Sequence, residues 1–313
     1  MEVTAIVFNQ VLIMFLLMLV GFVLAKAKIL NHATFRGLCS FLLVIIIPAT
    51  ILHAYMREFY IEEARQLGVS FVIAIAFHFM AIVVSAILFR KKADDSHKMK
   101  RLGAVYSNAG FMAFPLLAAV FGDKGIFLGS AYIAIFNVFV WIHGIKTLQE
   151  KERIGLKKIL FNPGTIAVAL GLLTYFLRLT FPPVVGEAVR MIGSINTPLA
   201  MVVIGGFVAM VSPKEMFQSL SVVWTSLVKL LLLPLLLLAI LLVAQVSRWP
   251  LSLQVVALAA VISAACPTAA TVVLLPESLG LESNLGVRIL VLCTLFSIIT
   301  LPFVVFLAQL IIG

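Results

Sequence analysis

The chain has 313 residues, of which 63% are hydrophobic and only 12% charged, against roughly 25% charged in soluble domains. That balance excludes a water-soluble globular protein and predicts an all-α membrane protein. The formal net charge of +10 is then decided by where the basic residues stand along the chain.

Ten apolar stretches of about 20 residues are long enough to cross a bilayer. They cover 5–25, 37–56, 67–89, 102–121, 126–145, 162–180, 191–211, 217–244, 252–275 and 286–312. Proline and small polar residues interrupt the stretches 191–211 and 252–275. The first stretch is long, has no basic start, and runs into Lys26 and Lys28, so no cleavable signal peptide is expected. Sixteen of the 23 Lys and Arg fall on one side of this pattern, from Lys26, Lys28 and Arg36 through Arg90–Arg101 and Lys146–Lys158 to Lys214 and Arg288. The basic side faces the cytoplasm, which places both termini outside the cell membrane. The net charge is therefore a topology signal and a contact with anionic lipid; no nucleic-acid partner is read from it. Cys39, Cys266 and Cys293 lie in apolar segments without metal-ligand spacing and read as small packed hydrophobes.

In chain order, helix two carries Pro48-Ala49-Thr50 and then His53, and helix three carries His78. Helix four reads Ala104-Val105-Tyr106-Ser107-Asn108-Ala109-Gly110-Phe111-Met112-Ala113-Phe114-Pro115, a span with helix breakers at mid-depth. A broken helix frees backbone groups that lipid cannot satisfy, so the break must be buried in protein or line a cavity. Helix five holds Asn137 and His143, and the longest polar connector, Lys146 to Asn162, follows it. This divides the chain into a first five-helix repeat (1–147), a cytoplasmic linker (148–161) and a second five-helix repeat (162–313). Five spans per half make the second repeat enter from the opposite side, so the repeats are inverted. Helix seven has Asn196-Thr197-Pro198 and Gly205-Gly206, the latter pair suited to close helix packing. Helix eight has Lys229 five residues before Pro234. Helix nine reads Ala260-Val261-Ile262-Ser263-Ala264-Ala265-Cys266-Pro267-Thr268-Ala269-Ala270-Thr271, a second broken span that shares Ala-Val-x-Ser with the first.

Proline and glycine in one span are often ordinary kinks, but two breaks in corresponding places point to a transporter's binding site. Half-helix N-termini suit an anionic group, whereas C-terminal ends and unwound carbonyls suit a cation. The candidate substrate residues are Ser107, Asn108, Gly110, Pro115, Asn137, Asn196, Lys229, Cys266, Pro267 and Thr268; catalytic residues, metal ligands and cofactors are not expected. An intramembrane Lys costs about 2.5–3.5 kcal/mol on insertion scales and needs a partner or a role. Lys229 either neutralises carbonyls at the broken helix ends or adds positive charge to the substrate site. Asp and Glu are confined to termini and loops, which leaves no carboxylate relay of the kind proton and sodium pumps use. A coupling proton would need a histidine, although His78 and His143 in such places are more often packed or interfacial.

Ser107-Asn108-Ala109-Gly110-Phe111-Met112-Ala113-Phe114-Pro115, Asn196-Thr197-Pro198-Leu199-Ala200, Lys229 with Pro234, and Pro267 with the run Thr294–Pro302 together resemble the auxin efflux carrier family, in its compact bacterial form. The resemblance spans nearly the whole chain. It implies ten helices in two inverted repeats, with broken helices four and nine crossing at Asn108, Pro115 and Pro267. It also implies a scaffold of helices one, two, six and seven and an elevator-type transport domain of helices three to five and eight to ten. Such carriers are often homodimers that move organic anions such as malonate, malate or auxin. This chain lacks the long cytoplasmic loop of the plant carriers. The leading expectation is a secondary active or facilitative carrier of a small carboxylate, its coupling ion (proton or sodium) open. The alternatives are a sodium-coupled symporter of the bile-acid type, related in fold, and a transporter-like channel or sensor.

Overall fold

A computed structural model describes residues 2–90, 95–149, 161–212 and 219–312. Among these, the chain is helical apart from short connections and one isolated antiparallel bridge. In chain order the helices are α1 (Glu2–Lys26), α2 (His32–Tyr55), α3 (Ile61–Leu88), α4 (Ser96–Val105), α5 (Ala109–Phe121) and α6 (Asp123–Leu148). They continue with α7 (Pro163–Phe176), α8 (Pro183–Ala209, loosened at Ile195), α9 (Leu220–Val243), α10 (Leu251–Ala265), α11 (Thr271–Ser278) and α12 (Asn284–Ile312).

Seven of these are long and apolar enough to cross a membrane: α1, α2, α3, α6, α8, α9 and α12. Three of the ten expected spans are not single helices of crossing length. The stretches 102–121 and 252–275 each fall into two pieces, α4 with α5 and α10 with α11, because extended residues separate them. The stretch 162–180 yields only the 14 residues of α7, a rise of about 21 Å against a hydrocarbon core of about 30 Å. Helix seven, expected from 191, begins at Pro183. Most of the expected linker, 150–160, lies outside the described residues.

Local chemistry explains the boundaries. Asn31 caps α2 by accepting the Thr34 N–H at 2.9 Å, and Asn162 caps α7 through the Gly164 and Thr165 N–H groups at 2.9 and 3.3 Å, with Pro163 in the first turn. Gly122 ends α5 and Gly280 follows α11, both with positive φ (62° and 71°), a conformation that costs glycine little. The intramembrane prolines do not stop their helices. Pro48, Pro115 and Pro234 each stand two residues after a π-helical turn, at Leu42–Ile46, Ala109–Ala113 and Val228–Leu232. A wider turn accommodates the missing proline N–H and the ring's clash with the preceding turn.

The same packing recurs in both halves. The second part of α8, Asn196–Ala209, lies along α1, and α7 lies along the second part of α2, Ile47–Tyr55. Likewise α3 packs on α6 and α9 on α12. Gly205 and Gly206 do serve close packing: a Cβ on Gly205 would stand 1.9 Å from the Met18 carbonyl oxygen, and one on Gly206 would meet the Phe35 ring at 2.5 Å. The free cysteines Cys39, Cys266 and Cys293 are buried in the packed interior. The Tyr175 hydroxyl donates to the Tyr60 carbonyl at 3.0 Å, and Ser252 to Glu62 at 2.8 Å, at one end of the bundle. Arg36 and Glu277 pair at 2.8 Å at the other.

Candidate functional site

The two interruptions lie side by side. Tyr106, Ser107 and Asn108 leave the helical path after α4, and Cys266 does so after α10 with φ −60° and ψ 148°. Ser107 and Thr268 form the antiparallel bridge. The Asn108 N–H donates to the Pro267 carbonyl at 2.7 Å, and the Ala269 N–H to the Tyr106 carbonyl at 2.9 Å. Backbone groups that a broken helix would leave bare inside a membrane are thus satisfied by the other broken helix. Side chains complete the exchange. Ser107 Oγ reaches the Ala264 carbonyl, in the last turn of α10, at 3.3 Å, and Thr268 Oγ1 donates to the Gly103 carbonyl of α4 at 2.8 Å.

Lys229 stands behind these two unwound segments. Its ammonium is fully buried, donates to Ser107 Oγ at 2.5 Å and to the Ala264 carbonyl at 3.1 Å, and sits 5.7 Å from the centre of the Phe77 ring. Of its two sequence readings, the carbonyl partner is the one the geometry supplies. Tyr132, which carries no signal of its own in the sequence, holds Ser107 from the other side, hydroxyl to hydroxyl at 2.8 Å. His78 is packed: its Nδ1 is 2.8 Å from the Ala74 carbonyl and its ring stacks on Phe139 at 5.6 Å. His143 bonds Tyr106 and Thr147.

In front of the bridged segments is a cavity of about 530 Å³. Its floor consists of Ser107 to Phe111 and Ala269 to Thr271, so the first residues of both α5 and α11 face the same space. Its walls are apolar, from Leu43, Val44 and Ile47 of α2 and Phe136, Val140 and Trp141 of α6, and it extends to Arg36, Asn162 and Ser278 at the ends of α2, α7 and α11. A second cavity of about 330 Å³ lies beyond, lined by Thr50, His53, Pro115, Asp123, Arg190 and Asn196 among others. The partition between them is thin: Asn196 Nδ2 donates to the Gly110 carbonyl at 2.9 Å, and a Cβ on Gly110 would strike Ile47 at 2.5 Å.

The expected site residues therefore separate into three groups. Ser107, Asn108, Gly110 and Asn137 line the first cavity. Pro115 and Asn196 line the second. Lys229, Cys266, Pro267 and Thr268 are buried at or behind the bridged segments and line neither. Pro115 lies in the second turn-region of its span, after the break, and only Pro267 is part of the unwound backbone. Arg36, Ser40, Asn162 and Thr271 line the first cavity without having stood out in the sequence; Arg36 had registered only as a topology charge. Asn108 is 4% exposed, and its Nδ2 is buried without a hydrogen-bond partner. A buried amide donor left open beside a cavity is costly unless something binds there.

A helical chain with several membrane-crossing helices, two facing interruptions and a cavity at their junction is a multi-pass membrane protein of transporter type. The sequence pattern of a family described as membrane transport protein matches it twice, over residues 6–154 and 152–305. The chain belongs to this family, that of the auxin efflux carrier-like transporters, and contains two of its repeats. No individual curated protein matches it.

Proposed function

We propose that this transporter is a secondary carrier of a small organic anion, active or facilitative, and that the anion's carboxylate docks at Asn108. The unpartnered Asn108 Nδ2 on the floor of the first cavity is the observation that carries the reading. The first turns of α5 and α11 on the same floor add positive potential. Counting α4 with α5 and α10 with α11 as one span each gives ten spans, five before and five after the linker. The recurrence of the packing and the doubled family match support reading them as inverted repeats. Movement of α3–α6 and α9–α12 against α1, α2, α7 and α8 as an elevator would exchange the first cavity for the second, with both termini outside the cell and a homodimer as the working unit. Sodium coupling of the bile-acid type is the weaker reading, because the Lys229 ammonium already occupies the Ala264 carbonyl, an acceptor of the kind a bound cation needs.

A hydrogen bond to a charged group is worth about 1.5–3 kcal/mol. Asn108→Ala is therefore expected to weaken carboxylate binding by about ten- to a hundredfold, and Asn108→Asp to abolish it by charge repulsion. Titration of purified protein with mono- and dicarboxylates, followed by uptake into proteoliposomes, checks both. Wild-type binding and uptake in Asn108→Ala would remove the crossing as the site.

A further inference from the structure

We propose that Arg36 is a second anion-recognition residue, placed at the mouth of the first cavity and held in reserve by Glu277, whose carboxylate a substrate carboxylate displaces. This rests on the anion-carrier reading and extends it to a residue outside the crossing. Among the described residues lining the cavity, Arg36 is the one with a formal charge; the others are apolar or neutral polar. An anion entering the cavity thus passes one guanidinium before it meets the apolar walls of Leu43, Val44 and Ile47 and then Asn108.

The pair is built for exchange. Arg36 Nη2 is 2.8 Å from Glu277 Oε2, with the arginine side chain 45% exposed and the glutamate 19%. The guanidinium is the exposed half of the pair and stays hydrated when it turns away, whereas Glu277 Oε2 is buried and makes no hydrogen bond. Glu277 has a further partner, since Ser283 Oγ donates to its Oε1 at 2.7 Å. Its Oε1 therefore keeps that hydrogen bond when Arg36 turns away. A guanidinium has five N–H donors in a fork that matches a carboxylate, so Arg36 can accept an incoming carboxylate as it releases the resident one. The partners also stand on different elements, Arg36 on α2 and Glu277 on α11, whose first residue lines the cavity floor. Glu277 at the same time discourages carboxylates that bind Arg36 weakly.

The two charges make opposite predictions, which separates recognition from structure. Full-length wild type, Arg36→Gln, Arg36→Lys and Glu277→Gln would be purified in detergent and titrated calorimetrically with acetate, malonate, malate, benzoate and indole-3-acetate. Arg36→Gln is expected to weaken binding about tenfold and Arg36→Lys less. Glu277→Gln is expected to tighten it about two- to fivefold. A purely structural ion pair would make both neutralised variants worse alike, and that result, or unchanged binding in Arg36→Gln, overturns the proposal. If Arg36→Gln does not fold, Glu277→Gln decides: tighter binding supports the proposal, and equal or weaker binding overturns it. Wild type that binds none of the five acids refutes the anion-carrier reading itself, whereas wild-type binding with indifferent variants refutes only the role of Arg36.

Discussion

Gly205→Leu is expected to lower the melting temperature by about 6–12 °C or to prevent recovery of folded protein. At this position α1 and α8 touch through their main chains. A Cβ on Gly205 would lie 1.9 Å from the Met18 carbonyl oxygen, and one on Gly21, across the same contact, 1.9 Å from that of Val202. Overpacking costs about 1–3 kcal/mol where side chains can shift. Here the obstacle is helical backbone, so the helices must separate and the surrounding contact is lost with them. In a bilayer no hydrophobic force restores it, because helix association there rests on close van der Waals packing. Gly68→Leu provides the control: nothing stands within 4 Å of its Cβ position, and its melting temperature should match wild type. A Gly205→Leu protein as stable as Gly68→Leu would mean that α1 and α8 do not meet this way.

Lys229→Met is expected to leave the helical fold intact and to weaken carboxylate binding by about a hundredfold. The two effects differ because the stability terms oppose each other. The substitution removes two charge-assisted hydrogen bonds, to Ser107 and Ala264, but it also removes the cost of burying an ammonium, several kcal/mol in its own right. Methionine has similar length and fills the space. At the bridged segments nothing compensates. Ser107 loses one of the partners that fix it next to Asn108, the Ala264 carbonyl keeps only the 3.3 Å contact with Ser107, and the positive charge behind the floor disappears. Lys229 acts through Ser107 and not by contact with the cavity, so it is a positioning residue. Circular dichroism with titration of the same carboxylates tests this. Unchanged binding would limit Lys229 to packing, and loss of helical signal would make it a folding residue.

Much of this was legible in the sequence because it concerns local partition between water, lipid and protein. Apolar length located the spans, and the sites of helix breakage were visible in Ser107–Gly110 and Cys266–Thr268. Gly205-Gly206 announced close packing, and an isolated intramembrane lysine had to have a polar partner. Hydropathy overstated α7, however, because it registers apolar residues and not where backbone hydrogen bonding ends at Phe176. Nor does it show how a span passes a proline: π-helical turns carry α2, α5 and α9 past Pro48, Pro115 and Pro234.

Which residues share a cavity was decided only by the tertiary structure. Asn108 and Asn196 are both candidate substrate residues, yet they line different cavities on either side of the Asn196–Gly110 hydrogen bond. Arg36 looked like one more cytoplasmic charge until the fold set it on a cavity wall opposite Glu277. The sequence by itself determined that this is a membrane protein with two broken helices and a buried cation. The tertiary structure decided that the breaks satisfy each other, through the bridge of Ser107 with Thr268 and the bonds of Asn108 with Pro267 and Ala269 with Tyr106. The physical reason is that helix formation and transfer into lipid depend on neighbouring residues, whereas a hydrogen bond between segments about 160 positions apart leaves no local trace in either one.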